Sequence, residues 1–281
     1  MNIKELDLKK YPNLSRYKKM YFTGNENLLN NKILTIVGSR KMSSYGKSVV
    51  EYVVKSLAST NVATCSGFVD GVDMACFNYS HQCGVPTIIC LGYGFDFFFK
   101  NTKDERIHNS IINNNLLVLS QFEPELSPSL WTYPRRDELL SSVSSAVLVI
   151  EASIKSGTEY TVKQAIKEKK SIYVTPGNIF SFVSKGTNNF LKIYKRETQI
   201  FTTNSDIKEI FSAPQNSENS EIGLFNTEET KIINFIRGNN VYFDDISKEL
   251  KIDSSELSSL LSLMEIKGFV KKDTYGKYSS S

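Results

Sequence analysis

Short apolar runs, each followed by a stretch of helical length, constrain this chain more than any other feature. They are ILTIVG (33–38), VATCSG (62–67), PTIICLG (86–92), LLVLSQF (116–122), AVLVIEA (146–152) and SIYVTPG (171–177). TQIFTT (198–203) is a further candidate. The runs are apolar throughout, not alternating, so each must be buried on both faces. That is the mark of a parallel strand covered by helices on either side. Helices are expected over 45–58, 71–83, 103–114, 135–143 and 158–168. Right-handed crossovers then give the fold class: α/β, a doubly wound, mostly parallel, Rossmann-like sheet.

Around this core the chain divides further. Residues 1–30 are mixed and basic and read as a preamble that packs on the next domain. The Rossmann-like domain is expected over 31–211. SAPQNSENSEIG (212–223) is polar and aperiodic, the composition of a linker. Residues 224–281 hold a helix capped at Thr227, a second helix over YFDDISKELKI, and a third capped around Asp253 to Ser255. A hairpin turning at Tyr275-Gly276 follows, and the set describes a winged helix.

Composition narrows the function. The 281 residues are 40% hydrophobic and carry a formal net charge of +4. The core can be large, and the mild basic excess is compatible with a polyanionic partner. Cys65, Cys76, Cys83 and Cys90 form no C-x-x-C pair and are expected to be free thiols. Together with the lack of a leader sequence, this predicts a cytoplasmic protein. No apolar run is long enough to span a membrane. With only His81 and His108 available, no zinc site is expected, and neither is any cofactor.

In a doubly wound sheet, ligands bind beyond the carboxyl ends of the strands. Those ends carry the candidate site. Gly38-Ser39-Arg40-Lys41 joins the first strand to a helix start, whose free N–H groups suit an anion, and Arg40 adds a planar cation. An ordinary strand-to-helix turn would look the same. Neither G-x-G-x-x-G nor the P-loop signature is present. Ser66-Gly67 and Gly71 flank a second turn, where Asp73 either caps the following helix or orients a ligand. Ser156-Gly157-Thr158 opens another helix, as a phosphate cradle or a bare N-cap. Lys185-Gly186-Thr187-Asn188 follows Pro176-Gly177, with Lys185 either touching phosphate or solvated. Trp131 and Tyr133, beside Arg135 and Arg136, combine rings and guanidinium groups as single-strand binders do. Trp131 serves equally well as a core anchor.

Six segments in order resemble the DprA/Smf family of DNA-processing proteins: IVGSRKMSSYGK, SGFVDGVDMAC, TIICLGYGFD, SQFEPELSP, YPRRDELLSSVSSAVLVIEASIKSGT and TPGNIFSFVSKGTNNFL. The resemblance covers about residues 11–195. The resemblance implies a binding protein without catalytic residues. It implies single-stranded DNA held in a basic pocket, loading of the RecA recombinase in natural transformation, and a homodimer. The dimer contact would lie at the sheet edge near 171–203. The family's pocket arginine falls on Arg40, its aromatic on Tyr133 and a second arginine on Arg136. Its glycine turns fall on Gly38, Gly67, Gly71, Gly157 and Gly186. The chain departs from the pattern at Asp70, at Cys76-Phe77 and above all at Asp137-Glu138, where the family carries Asn-Arg. Acids facing the pocket would repel phosphate.

Two other classes compete. Ser156-Gly157-Thr158-Glu159 partly matches the signature of phosphoribohydrolases, in which Glu159 or Glu151 would cleave an N-glycoside. Alternatively, the winged helix would bind duplex DNA. Its third helix, expected over Ser254–Lys267, has Lys267 as its sole basic residue, which favours protein contact over major-groove reading.

Overall fold

The computed structural model describes residues 2–58, 60–203, 205–206, 211, 231–232, 235–236, 241–250, 252–266, 270–273 and 276–280. The chain forms two compact units, Met1–Ser212 and Ala213–Ser281. The segment read as a linker, 212–223, and the cap at Thr227 lie outside the described residues.

The larger unit is built on strands β1 (Lys4–Glu5), β2 (Tyr21–Gly24), β3 (Lys32–Gly38), β4 (Val62–Ser66), β5 (Thr87–Cys90), β6 (Leu116–Ser120), β7 (Ala146–Ile150), β8 (Ser171–Val174) and β9 (Thr198–Ile200). They form one sheet in the order β1-β2-β6-β5-β4-β3-β7-β8-β9. From β3 to β9 every pairing is parallel. The amino-terminal segment does more than pack on the domain: β2 joins β6 antiparallel and β1 extends the edge. Between the strands lie helices α1 (Ser44–Leu57), α2 (Val72–Cys83), α3 (Phe95–Asn101), α4 (Glu105–Ile112), α5 (Thr132–Val143), α6 (Thr158–Lys167) and α7 (Lys185–Ile193).

Alternate residues of β3 show why the runs had to be apolar throughout. Ile33 and Val37 enter the core on one face of the sheet, while Leu34 and Ile36 enter the core on the other. All four are buried, and each contributes roughly 1.5–3 kcal/mol against exposure. α1 packs on the second of these cores through Val50, Val53 and Val54, and α6 on the first through Val162 and Ala165.

Two helix expectations need correction. The helix expected over 103–114 is α4, Glu105–Ile112, and before it the chain forms a further helix, α3, in a stretch where none was expected; Phe95 and Phe98, one turn apart, are both buried there. Residues 132–134, read as loop, already belong to α5. Pro134 is tolerated there because a residue in the first turn needs no N–H partner.

The smaller unit contains β10 (Val241–Tyr242), α8 (Phe243–Leu250), α9 (Ser254–Ile266), β11 (Val270–Lys272) and β12 (Lys277–Ser280). The strands form an antiparallel sheet in the order β10-β12-β11. Asp73's counterpart as a cap candidate, Asp253, does cap its helix: its carboxylate accepts the Ser255 N–H at 2.9 Å. Ile246, Leu257, Leu261 and Met264 form a separate core with Ile232 and Ile236. These are the elements of a winged helix. The proposed turn residue Tyr275 lies outside the described residues.

Candidate nucleic-acid interface

β3 and β7 lie side by side, with Gly38 opposite Ile150. From β3 the chain continues into α1 on one face of the sheet, and from β7 into α6 on the other. The two connections therefore diverge and leave a crevice between them, as at the switch point of any doubly wound sheet. A cavity of about 480 Å³ occupies that place. Gly38, Ser39, Arg40 and Lys41 line one side and Ser156, Gly157 and Thr158 another, with Tyr133, Arg136 and Asp137 entering from α5.

Arg136 sets the chemistry of the floor. It is 4% exposed, and its Nε donates to Asp137 Oδ1 at 2.9 Å. Its Nη1 donates to the Gly67 carbonyl at 2.5 Å. The Gly67 N–H in turn donates to Asp73 Oδ2 at 2.8 Å. Gly67 is required because any Cβ there would overlap the guanidinium of Arg136. Arg136 is therefore held by internal partners. Asp73 neither caps α2 nor lies free for a ligand; Gly71 is the N-cap residue, at φ +88°, where a side chain would be strained.

Arg40 and Lys41 are the exposed cations of the cavity. The Arg40 guanidinium lies 5.4 Å from the centroid of the Tyr133 ring, and that of Arg136 lies 5.9 Å from it. The expected basic pocket is thus a mixed one: Arg40, Lys41 and Arg136 share the lining with Asp73 and Asp137.

The two helix starts beside the cavity differ. At α1 the anion position is already filled, because buried Glu151 accepts the Ser43 N–H at 2.8 Å and the Ser43 hydroxyl at 2.5 Å. The expectation that this helix start offers free N–H groups to phosphate is corrected accordingly. At α6 no side chain caps the helix, and the buried Ser156 hydroxyl oxygen has no hydrogen-bond partner. Ser156, Gly157 and Thr158 are therefore the better anion cradle.

Comparison with known proteins fits this geometry. The sequence profile of the DNA recombination-mediator protein A family matches residues 6–212. The chain belongs to that family. The DNA processing protein DprA of Streptococcus pneumoniae is 31% identical over 173 residues, 62% of this chain and 60% of that protein. Protein Smf of Escherichia coli is 27% identical over 62% of this chain and 46% of its own length. The matched region therefore spans about half to three fifths of these relatives. The crystal structure of the S. pneumoniae protein superimposes with a TM-score of 0.66 at 25% identity, covering 76% of each chain. The structure of DNA processing protein A from Helicobacter pylori, which concerns its single-stranded DNA binding mode, gives 0.63 at 25% identity. It covers 74% of this chain and 95% of that one.

Within this recombination-mediator fold, the other residues singled out from sequence take supporting places and do not line the cavity. Ser66 is buried, and its hydroxyl donates to the Asp73 carbonyl at 3.3 Å. Gly71 lets the turn pass over Ser39 and Arg40. Arg135 is exposed and presents its carbonyl to Gln121. Lys185 is exposed at the start of α7. The Gly186 N–H donates to the Ala152 carbonyl at 2.6 Å, and the Thr187 hydroxyl to Ser184 at 2.9 Å. Asn188 clamps Gly177 by accepting its N–H and donating to its carbonyl, both at 3.0 Å. Glu159 pairs with Lys163 at 2.8 Å, so neither carboxylate considered for N-glycoside cleavage is uncommitted. The four cysteines are free thiols. Among the described residues no helix is long and apolar enough to cross a membrane, and no cluster could hold a metal.

Asp137 faces the cavity, as the departure from Asn warned, whereas Glu138 does not line it. The sequence does not reveal the Arg136–Gly67–Asp73 chain of hydrogen bonds, because Gly67 and Asp73 lie 69 and 63 residues from Arg136. Burial pushes the Asp73 carboxyl up to about 6, with the neighbouring Asp137 charge adding to it and Arg136 and Arg40 opposing. Burial likewise raises Asp137, against Arg136 and Arg40. Ionised, both acids oppose an incoming phosphate. A bound phosphate stabilises their neutral forms, so binding takes up protons. Affinity for a phosphate-bearing ligand should accordingly rise roughly tenfold from about pH 7.5 to about pH 5.5 at constant ionic strength. Asp73→Asn should flatten the profile and Asp137→Asn should tighten binding at neutral pH. A flat profile in the wild-type chain would refute the charge assignment.

Proposed function

We propose that this chain binds single-stranded DNA by its sugar-phosphate backbone in the switch-point cavity and acts as a recombination mediator. The observation that carries this is the pairing of exposed Arg40 and Lys41 with an uncapped helix start and an unpartnered Ser156 hydroxyl around one cavity. Such a set suits phosphate: two exposed cations supply attraction, and oriented amides supply fixed donors. The single-stranded DNA binding mode of the structurally similar H. pylori protein supports the same reading.

The finer reading follows the family resemblance. The protein protects incoming strands and loads the RecA recombinase onto them, as a dimer. β9 ends the sheet with Ile200 58% exposed, which supports a contact between copies there. Light scattering that finds only monomer at high concentration would exclude it. α9 carries no Lys or Arg, which supports protein contact as the role of the smaller unit.

A salt titration tests the central claim. Affinity for a labelled oligonucleotide should fall log-linearly with salt, at about 0.7 per phosphate contacted on a single strand. Equal affinity for a neutral-backbone analogue would end the phosphate reading.

A further inference from the structure

We propose that Phe182 and Tyr160 form a stacking platform at the cavity mouth that takes unpaired bases of the strand whose phosphates the cavity holds. This rests on the single-stranded DNA reading above.

Phe182 is 68% exposed, Tyr160 56% and Leu130 93%, and all three line the cavity that Arg40 and Lys41 also line. They come from three separate places: the turn before α7, the first turn of α6, and the loop before α5. Large apolar side chains gathered at the mouth of one cavity and left in water mark a binding surface. What they bind follows from what lies beneath them. Beside the buried acids the cavity offers two exposed cations, Arg40 and Lys41, and an uncapped helix start, which suit an occupant with negative charge, and apolar rings at its mouth suit one that also presents flat apolar faces. Bases on a flexible phosphate chain present both.

The rings expected from sequence to stack are already engaged. Tyr133 is half-buried, with the guanidinium groups of Arg40 and Arg136 both over its ring. Trp131 is 57% exposed and so is not the core anchor considered above; it does not line the cavity, and it packs edge-on against Phe122 at 5.7 Å. Phe182, by contrast, makes no ring contact among the described residues.

The loop carrying Phe182 is also held in place. Asn188 clamps Gly177, the Asn178 side chain accepts the Phe180 N–H at 2.9 Å, and the Gly186 N–H is tied to Ala152. A pre-positioned ring loses less entropy on stacking than a loose one.

The test uses the full chain with two probes of equal length and phosphate number: a thymidine oligonucleotide and its fully abasic counterpart. The wild-type protein should prefer the first. Phe182→Ala, and more so Phe182→Ala with Tyr160→Ala, should weaken thymidine binding about tenfold and leave abasic binding and the salt slope unchanged. Phe182→Trp should restore it. A 2-aminopurine placed in the strand should be quenched by wild-type and not by the double variant. Equal wild-type affinity for the two probes would overturn the platform while leaving the phosphate reading intact. So would Phe182→Ala binding thymidine like wild-type, or Phe182→Ala shifting the sedimentation of the DNA-free protein, which would make the rim a contact between copies. Failure of both probes to bind, or salt-independent binding of both, would instead end the phosphate reading.

Discussion

Arg136→Ala is expected to destabilise the larger unit by about 3–5 kcal/mol, the range for removing one partner from a buried charge network. Two buried carboxylates, Asp73 and Asp137, would be left without their cation, and the Gly67 carbonyl without its donor. For a domain of this size the melting temperature should drop by roughly 10 °C. The pH dependence distinguishes this cause from simple loss of packing. With the guanidinium gone, both carboxyls are driven further toward their neutral forms. The deficit should therefore be largest at about pH 8 and shrink toward about pH 5, where protonation removes the stranded charges. Thermal melts of the two proteins across that range check it. A variant with wild-type melting and lost DNA affinity would show instead that Arg136 is a phosphate ligand.

Arg40→Ala is expected to do the reverse: an unchanged melting temperature and a large loss of affinity. Arg40 is exposed, and its contact with Tyr133 is a cation–π approach at 5.4 Å. Removing a charge-assisted contact of about 1.5–3 kcal/mol corresponds to roughly 10- to 150-fold weaker binding. The salt slope should also fall by about one contact. Fluorescence anisotropy at several salt concentrations measures both. Wild-type affinity in this variant would remove the electrostatic account of the cavity.

These two arginines show where sequence reading stops. Arg40 follows a glycine turn and Arg136 stands in the polar stretch TYPRRDE, and both fall on positions where the resemblance places a pocket arginine. Nothing local separates them. Tertiary structure separates them: Arg136 lies on the buried side of α5 with its guanidinium against Gly67, whereas Arg40 lies exposed before α1. The same holds for the helix starts. Ser43-Ser44 and Ser156-Gly157 look alike as anion sites, yet Glu151, held at φ 52° at the end of β7, occupies the first and leaves the second open. Phe182 escaped notice because a phenylalanine, one of 17 in this chain, is ordinarily core. Its exposure depends on how the loop after β8 is tied to α7.

The chain by itself determined the parallel sheet, its helical cover and the end of the sheet where the cavity lies. Apolar periodicity is a local property, and burial on two faces leaves strands few alternatives. Tertiary structure alone decided which charges face solvent and which neutralise one another. Pairing and desolvation depend on residues brought together from distant parts of the chain, and their balance changes over a few ångströms.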